Sequence, residues 1–246
     1  MKTTIYKNRD EAGEYITEEI INGKPEKLIV YAHGFGVKRG DASNMFYDVA
    51  NIAKNSKSLL IDLNQDEESG LIINDFGAQS RRLNSEISKL GASNPGLPII
   101  LIGHSMGCAL IAKNKILAKQ AIFLAPAVSD VEAKLKPRLM EREGSYYSTE
   151  ERILYAKRSD GTTSKVPDSF FDSVRGEIWK DRYVSYLGIQ PSTFLIVAEE
   201  DEILKVETKG ILELKFKQID IVEGADHNFL GESRKKMLSV VSNLLN

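Results

Sequence analysis

Ser105 stands in the run Gly103-His104-Ser105-Met106-Gly107. A serine hydroxyl is a weak nucleophile until a base takes its proton. A tight strand-to-helix turn lifts such a hydroxyl clear of its own backbone but forces strained dihedrals, so the residues two before and two after must lack bulk. Glycine meets that need on both sides. The amide of Met106 then opens a helix, where a free donor and a partial positive charge suit a developing oxyanion. In a chain with 18 glycines, a chance match to this pattern is on the order of one in ten, so placement has to decide. Here a five-residue apolar run precedes it (98–102) and an amphipathic pattern follows.

The base must titrate near neutrality, which points to histidine. The chain has three: His33, His104 and His227. His104 adjoins Ser105, and on so tight a turn its side chain points away. His33 lies in the glycine-rich turn His33-Gly34-Phe35-Gly36 and reads as structural. His227 remains, in Gly224-Ala-Asp-His-Asn-Phe229, after a late strand pattern. An acid is needed to hold the base's tautomer. Glu199, Glu200 and Asp201 follow another strand pattern, with Asp201 the first choice and Glu200 the second. Asp226 adjoins His227 and is badly placed to orient it. The second oxyanion donor would be the Phe35 amide, beside that of Met106. The order is Ser105, Asp201, His227.

These residues need elements to position them. Short runs, nearly all apolar on both faces, predict buried parallel strands at 28–32, 58–62, 98–102, 121–124, 193–197 and 216–222. Helical patterns lie at 41–53, 75–90, 105–118 and 232–245, with Gly91 as a stop for the second. The alternation predicts an α/β fold with a mostly parallel sheet flanked by helices. Residues 3–6 and 14–17 read as a leading hairpin with Gly13 near the turn. The rhythm breaks over 127–190, a polar stretch rich in Tyr, Phe and Trp. A structureless loop of that length does not belong in a compact domain, so the stretch reads as an inserted cap of a few short helices. The core is then 1–126 and 191–246. The cap's aromatics are either its own small core or the lining of an apolar substrate pocket.

The whole chain bounds the function classes. Its 246 residues suffice for one large domain, and a net charge of -2 favours neither nucleic acid nor an anionic membrane. No apolar run is long enough to span a bilayer. The start of the chain lacks the apolar stretch of a secretory signal, and a single cysteine excludes an internal disulfide, so the expected address is cytoplasmic. Cys108 reads as a small buried side chain. No metal or cofactor is expected.

With HGFG at 33–36, GHSMG at 103–107, the acidic turn at 199–201 and GADHNF at 224–229, the chain resembles the α/β-hydrolase superfamily. Within it, the chain is similar to small bacterial carboxylesterases of the feruloyl or cinnamoyl esterase and monoacylglycerol lipase kinds. The resemblance spans 28–245 apart from the insertion. It implies an eight-stranded sheet, a cap over the site, no cofactor and a small-molecule ester as substrate. Two departures stand out: a short N-terminal part, which implies reduced first strands, and AEED in place of a glycine-containing acid turn. The same triad also serves acyl transfer, thioester, amide and carbon-carbon hydrolysis, and a hydrolase pocket can serve as a non-catalytic receptor.

Overall fold

The computed structural model describes residues 1–246 other than 129, 159, 204–207 and 246. The leading hairpin is longer than the sequence suggests. Strand β1 (Lys2–Asp10) pairs antiparallel with β2 (Gly13–Asn22) along its whole length. Gly13 takes φ 110° at the turn, and the Asp10 carboxylate accepts the Ala12 amide at 2.9 Å. The first strands are therefore full-length, which corrects the expectation of reduced ones. Along β2, Tyr15 and Thr17 are buried on one face of the sheet and Glu18 and Ile20 on the other, while β1 stays mostly exposed.

The remaining elements follow in chain order: β3 (Lys27–Ala32), α1 (Met45–Ile52), β4 (Ser56–Ile61), β5 (Gln65–Glu67), β6 (Gly70–Ile72), α2 (Phe76–Ser93), β7 (Ile99–His104), α3 (Met106–Lys113) and β8 (Gln120–Leu124). After them come α4 (Val131–Met140), β9 (Tyr146–Ser148), β10 (Ile153–Lys157), β11 (Thr163–Pro167), α5 (Asp168–Val174), α6 (Trp179–Ile189), β12 (Thr193–Ala198), α7 (Thr208–Leu212), β13 (Gln218–Val222) and α8 (Glu232–Leu245). Eight strands form one sheet in the order β1-β2-β4-β3-β7-β8-β12-β13. β2 is antiparallel to both its neighbours, and the six from β4 to β13 run parallel.

Helix ends depart from the periodicity for local reasons. α1 begins at Met45 rather than 41, because Asp41, Ser43 and Asn44 all have positive φ. α2 is capped by Asp75, whose carboxylate accepts the Ala78 amide at 2.8 Å. It runs through Gly91 to Ser93, so Gly91 does not stop it. α3 ends at Lys113: the Asn114 amide group bonds the Leu110 carbonyl, and Lys115 is left-handed at φ 51°.

The stretch 127–190 carries the expected short helices and, in addition, three strands. β9, β10 and β11 join the β5–β6 hairpin in a second, five-stranded sheet, β5-β6-β11-β10-β9. Its aromatics are largely core: Phe170, Phe171, Trp179, Tyr183 and Tyr186 are buried and continuous with the side chains under α2 and α3. Tyr146 remains exposed and stacks on Tyr155. The other face of the main sheet packs on α1 and α8.

Candidate active site

The parallel strands end together at one edge, and the crevice outside their carboxyl ends is where open α/β sheets place ligands. β3 leads into the turn His33–Gly36, β7 into Ser105, β12 into the acidic turn and β13 into the histidine loop. Sequence-distant groups meet there because strand order brings β3, β7, β8 and β12 side by side.

Ser105 occupies φ 51°, ψ -118°, a strained setting for a residue with a side chain. Its backbone is over-determined. The amide donates to the Leu124 carbonyl at 2.9 Å, and the carbonyl accepts from Cys108 and Ala127 at 3.1 Å each. The flanking glycines are required by space. A Cβ at Gly107 would lie 1.9 Å from the Ala32 carbonyl oxygen, and one at Gly103 would lie 2.9 Å from the Cys108 nitrogen. Ser105 itself is half-buried.

His227 Nε2 lies 3.0 Å from Ser105 Oγ, and His227 Nδ1 lies 2.7 Å from Asp201 Oδ2. Asp201 and His227 are both buried. With Nδ1–H donating to Asp201, the Nε2 lone pair faces the serine hydroxyl, the tautomer a general base requires. Of the three adjacent acids, the structure brings Asp201 to the ring. Glu200 is exposed, and its amide bonds the Ala225 carbonyl. Glu199 accepts the Gly224 amide at 3.0 Å. Glu202, which the sequence reading did not consider, accepts the His227 amide at 3.3 Å. The acidic turn thus holds both the imidazole and the loop that carries it. Asp226 faces forward in the chain, accepting the Leu230 amide at 2.7 Å.

The turn at 33–36 packs on Ser105: a Cβ at Gly34 would touch Ser105 Cβ at 3.4 Å. The Phe35 amide makes no hydrogen bond to another residue among those described. The Met106 amide, first in α3, has no intrahelical acceptor. Both are donors without an assigned acceptor beside Ser105. His33 is structural in its contacts: Nε2 accepts the Leu63 amide at 2.9 Å, so Nδ1 carries the hydrogen and donates to the Gly34 carbonyl at 2.9 Å.

His104 points away from Ser105, as the tight turn demands. Its Nδ1 lies 3.0 Å from both carboxylate oxygens of Asp41, and its Nε2 lies 3.0 Å from the His227 carbonyl. Burial opposes charge on this ring, but the Asp41 carboxylate outweighs it and holds the His104 pKa above the ordinary histidine value. Burial likewise works against ionised Asp41. The charge and hydrogen bond of His104 and the Ala42 amide prevail and hold that carboxyl below its ordinary value. No motif marks Asp41; only the fold shows its role. Burial raises the Cys108 thiol well above its usual range, in keeping with a packed side chain. Among the described residues, no cluster of His, Cys, Asp and Glu could hold a metal ion, and no helix is long and apolar enough to cross a membrane.

Residues 29–238 match the family model described as the alpha/beta hydrolase family. The chain belongs to that family. A curated relative, the monoglyceride lipase homolog of Monkeypox virus, is 29% identical over 127 residues, which is 47% of this chain and 42% of that protein. This alpha/beta hydrolase therefore matches less than half of that relative's length. Among solved structures, the alpha/beta hydrolase GrgF from Penicillium sp. sh18 superposes with a TM-score of 0.71 at 14% identity, covering 100% of this chain and 98% of its own. Est1E from Butyrivibrio proteoclasticus gives 0.71 at 14%, covering 98% and 97%. At such identity the likeness is one of fold.

Proposed function

We propose that this alpha/beta hydrolase is a serine carboxylesterase. The observation that carries the reading is the relay from Ser105 Oγ through His227 to Asp201, at 3.0 and 2.7 Å, with the serine on a strained turn. In the proposed cycle His227 takes the Ser105 proton as Oγ attacks the acyl carbonyl. The Phe35 and Met106 amides receive the oxyanion, and Asp201 stabilises the imidazolium. His227 then protonates the leaving alkoxide, and water, activated by the same ring, releases the acyl group.

An ester substrate is supported by the monoglyceride lipase homolog and by Est1E, which has also been solved with ferulic acid bound. We also propose residues 127–190 as a cap over the site. Arg158 of that stretch donates to the Gly36 carbonyl, and Phe170 packs on Phe35 at 5.3 Å, so the stretch borders the turn proposed to bind the oxyanion.

The test is turnover of p-nitrophenyl acetate and butyrate by wild type and Ser105→Ala, alongside labelling with a fluorophosphonate. Loss of both turnover and labelling in the variant is the expected result. Undiminished turnover overturns the assignment. Adding a competing alcohol separates hydrolysis from acyl transfer.

A further inference from the structure

Behind the proposed catalytic residues lies a second histidine-aspartate pair, His104 and Asp41, fully enclosed by the fold. Its contacts are unusual in reach. One Asp41 oxygen accepts the Gly34 amide at 3.0 Å, in the turn that presents Phe35. The other accepts the Ala42 amide at 2.5 Å. His104 belongs to the nucleophile turn and donates to the carbonyl of His227 itself, with the two rings 5.0 Å apart. Thus one pair touches the oxyanion turn, the nucleophile turn and the base's own backbone, through contacts that join residues 63 and 123 positions apart.

The chemistry of the contacts fixes the hydrogens. A carbonyl oxygen at Nε2 demands N–H there. A carboxylate that already accepts two amides demands N–H at Nδ1. The ring therefore carries both hydrogens, and the pair is charge-assisted on each side. The backbone also points to function. Asp41 sits at φ 58°, ψ -169°, a region that is essentially glycine-only and that persists only where the surroundings over-determine it. Arg234 of α8 grips the same segment, donating to the carbonyls of Ala42 and Ser43, and also holds the carbonyls of Asn228 and Phe229 beside the base.

We propose that Asp41 and His104 are positioning residues that hold the oxyanion donors, the nucleophile and the base in register. This rests on the serine-hydrolase reading above. Neither residue touches substrate; they act through Gly34, Ser105 and His227. Loss of one ring hydrogen breaks the device whichever tautomer forms. With hydrogen on Nδ1 alone, the Nε2 lone pair faces a carbonyl. With hydrogen on Nε2 alone, the Nδ1 lone pair faces a carboxylate. Because the folded pKa of His104 is raised, the tie is complete below the ordinary histidine value and is lost as pH rises through the raised one. The other titratable groups around the pair are Asp201 and His227 toward the site, and His33 and Cys108 near Asp41. Asp41→Asn keeps the size and removes the titration: the asparagine amide donates to Nδ1, its oxygen accepts Gly34 and a neutral ring still donates to the His227 carbonyl, while the part-buried Ala42 amide alone gives up its acceptor.

The experiment compares wild type, Asp41→Ala and Asp41→Asn on p-nitrophenyl butyrate from neutral into alkaline pH, with folding checked by circular dichroism. In parallel, 15N spectra of the three histidine rings are recorded. Asp41→Ala is expected to lower kcat by about 100-fold, the scale of a small misplacement of reacting groups, with KM changed by less than about threefold. Asp41→Asn is expected to recover much of the kcat lost in Asp41→Ala at neutral pH and to lack the alkaline fall expected of wild type. His104 is expected to be protonated on both nitrogens in wild type and on one in Asp41→Asn. A folded Asp41→Ala with unchanged kcat, or an alkaline limb identical in wild type and Asp41→Asn, overturns the proposal. So does a His104 ring with a bare nitrogen in wild type. If Asp41→Ala does not fold, the Asp41→Asn profile decides. If Ser105→Ala keeps wild-type turnover, the esterase reading fails, and the ring spectra still decide whether the pair exists as described.

Discussion

Asp201 Oδ2 lies 2.7 Å from His227 Nδ1, while Glu200, one residue earlier in the chain, stays exposed and bonds the histidine loop only through its backbone amide. Neighbours in an acidic run therefore have different tasks. If the proposed relay operates, Asp201→Asn should disturb the tautomer of His227 and lower kcat by about 10⁴-fold, as expected when a triad acid is replaced by its amide. Glu200→Gln should stay within about twofold of wild type. Steady-state kinetics on one activated ester measures both, and equal losses would assign the acid wrongly.

Gly107→Ala should prevent folding or destabilise the protein severely. Its Cβ would lie 1.9 Å from the Ala32 carbonyl oxygen, and the contact is with backbone, which cannot swing aside. Overpacking of a well-filled interior typically costs about 1–3 kcal/mol, and a backbone clash stands at or above the upper end. Gly224→Ala is the control: a Cβ there meets nothing within 4 Å, so only the strain of φ +66° is added. Urea unfolding midpoints rank the two variants.

Arg82 ties α2 to the leading hairpin and to the end of β4. Its guanidinium is buried, bonds both Asp10 oxygens at 2.8 and 2.9 Å, and donates to the carbonyls of Asp62 and Asn64. Asp10→Ala leaves the guanidinium without its carboxylate, and breaking such a buried pair costs on the order of 3–5 kcal/mol, less here because Asp10 is partly exposed. The hydrogen bond from Arg82 holds the Asp10 carboxyl below its ordinary value. Its contribution is therefore complete above that ordinary value and disappears as pH falls through the lowered one. Acid titration of thermal stability in wild type and Asp10→Asn should show a smaller acid loss in the variant.

Cys108 should be silent toward thiol reagents in the folded protein. It is fully buried, its Sγ lies 3.6 Å from the Leu124 carbonyl, and burial disfavours the reactive thiolate. Reaction with dithiobis-nitrobenzoate should be negligible in buffer and should release one equivalent after denaturation, since the chain has one cysteine. Rapid labelling under native conditions would show that α3, the helix after Ser105, opens.

The sequence by itself determined the parts whose causes are local. All six runs became parallel strands; in five of them residues buried on both faces of the sheet must be apolar without alternation, while β13 at the sheet edge is largely exposed or half-buried. The glycines at 103 and 107 marked the turn, because only a missing side chain permits that approach of β3 and α3. His227 stood out because the other two histidines were constrained by their own neighbours. Tertiary structure decided what local pattern cannot encode. Asp201 was separated from Glu200 by which side chain faces β13, a matter of strand order over 26 residues. The strands β9 to β11 were hidden because they are only 3, 5 and 5 residues long and are anchored through β11 on the distant strand β6, a pairing that no local pattern encodes. Asp41 carried no signal at all: a single acid eight positions after His33 becomes the partner of His104 only when β3 and β7 lie side by side.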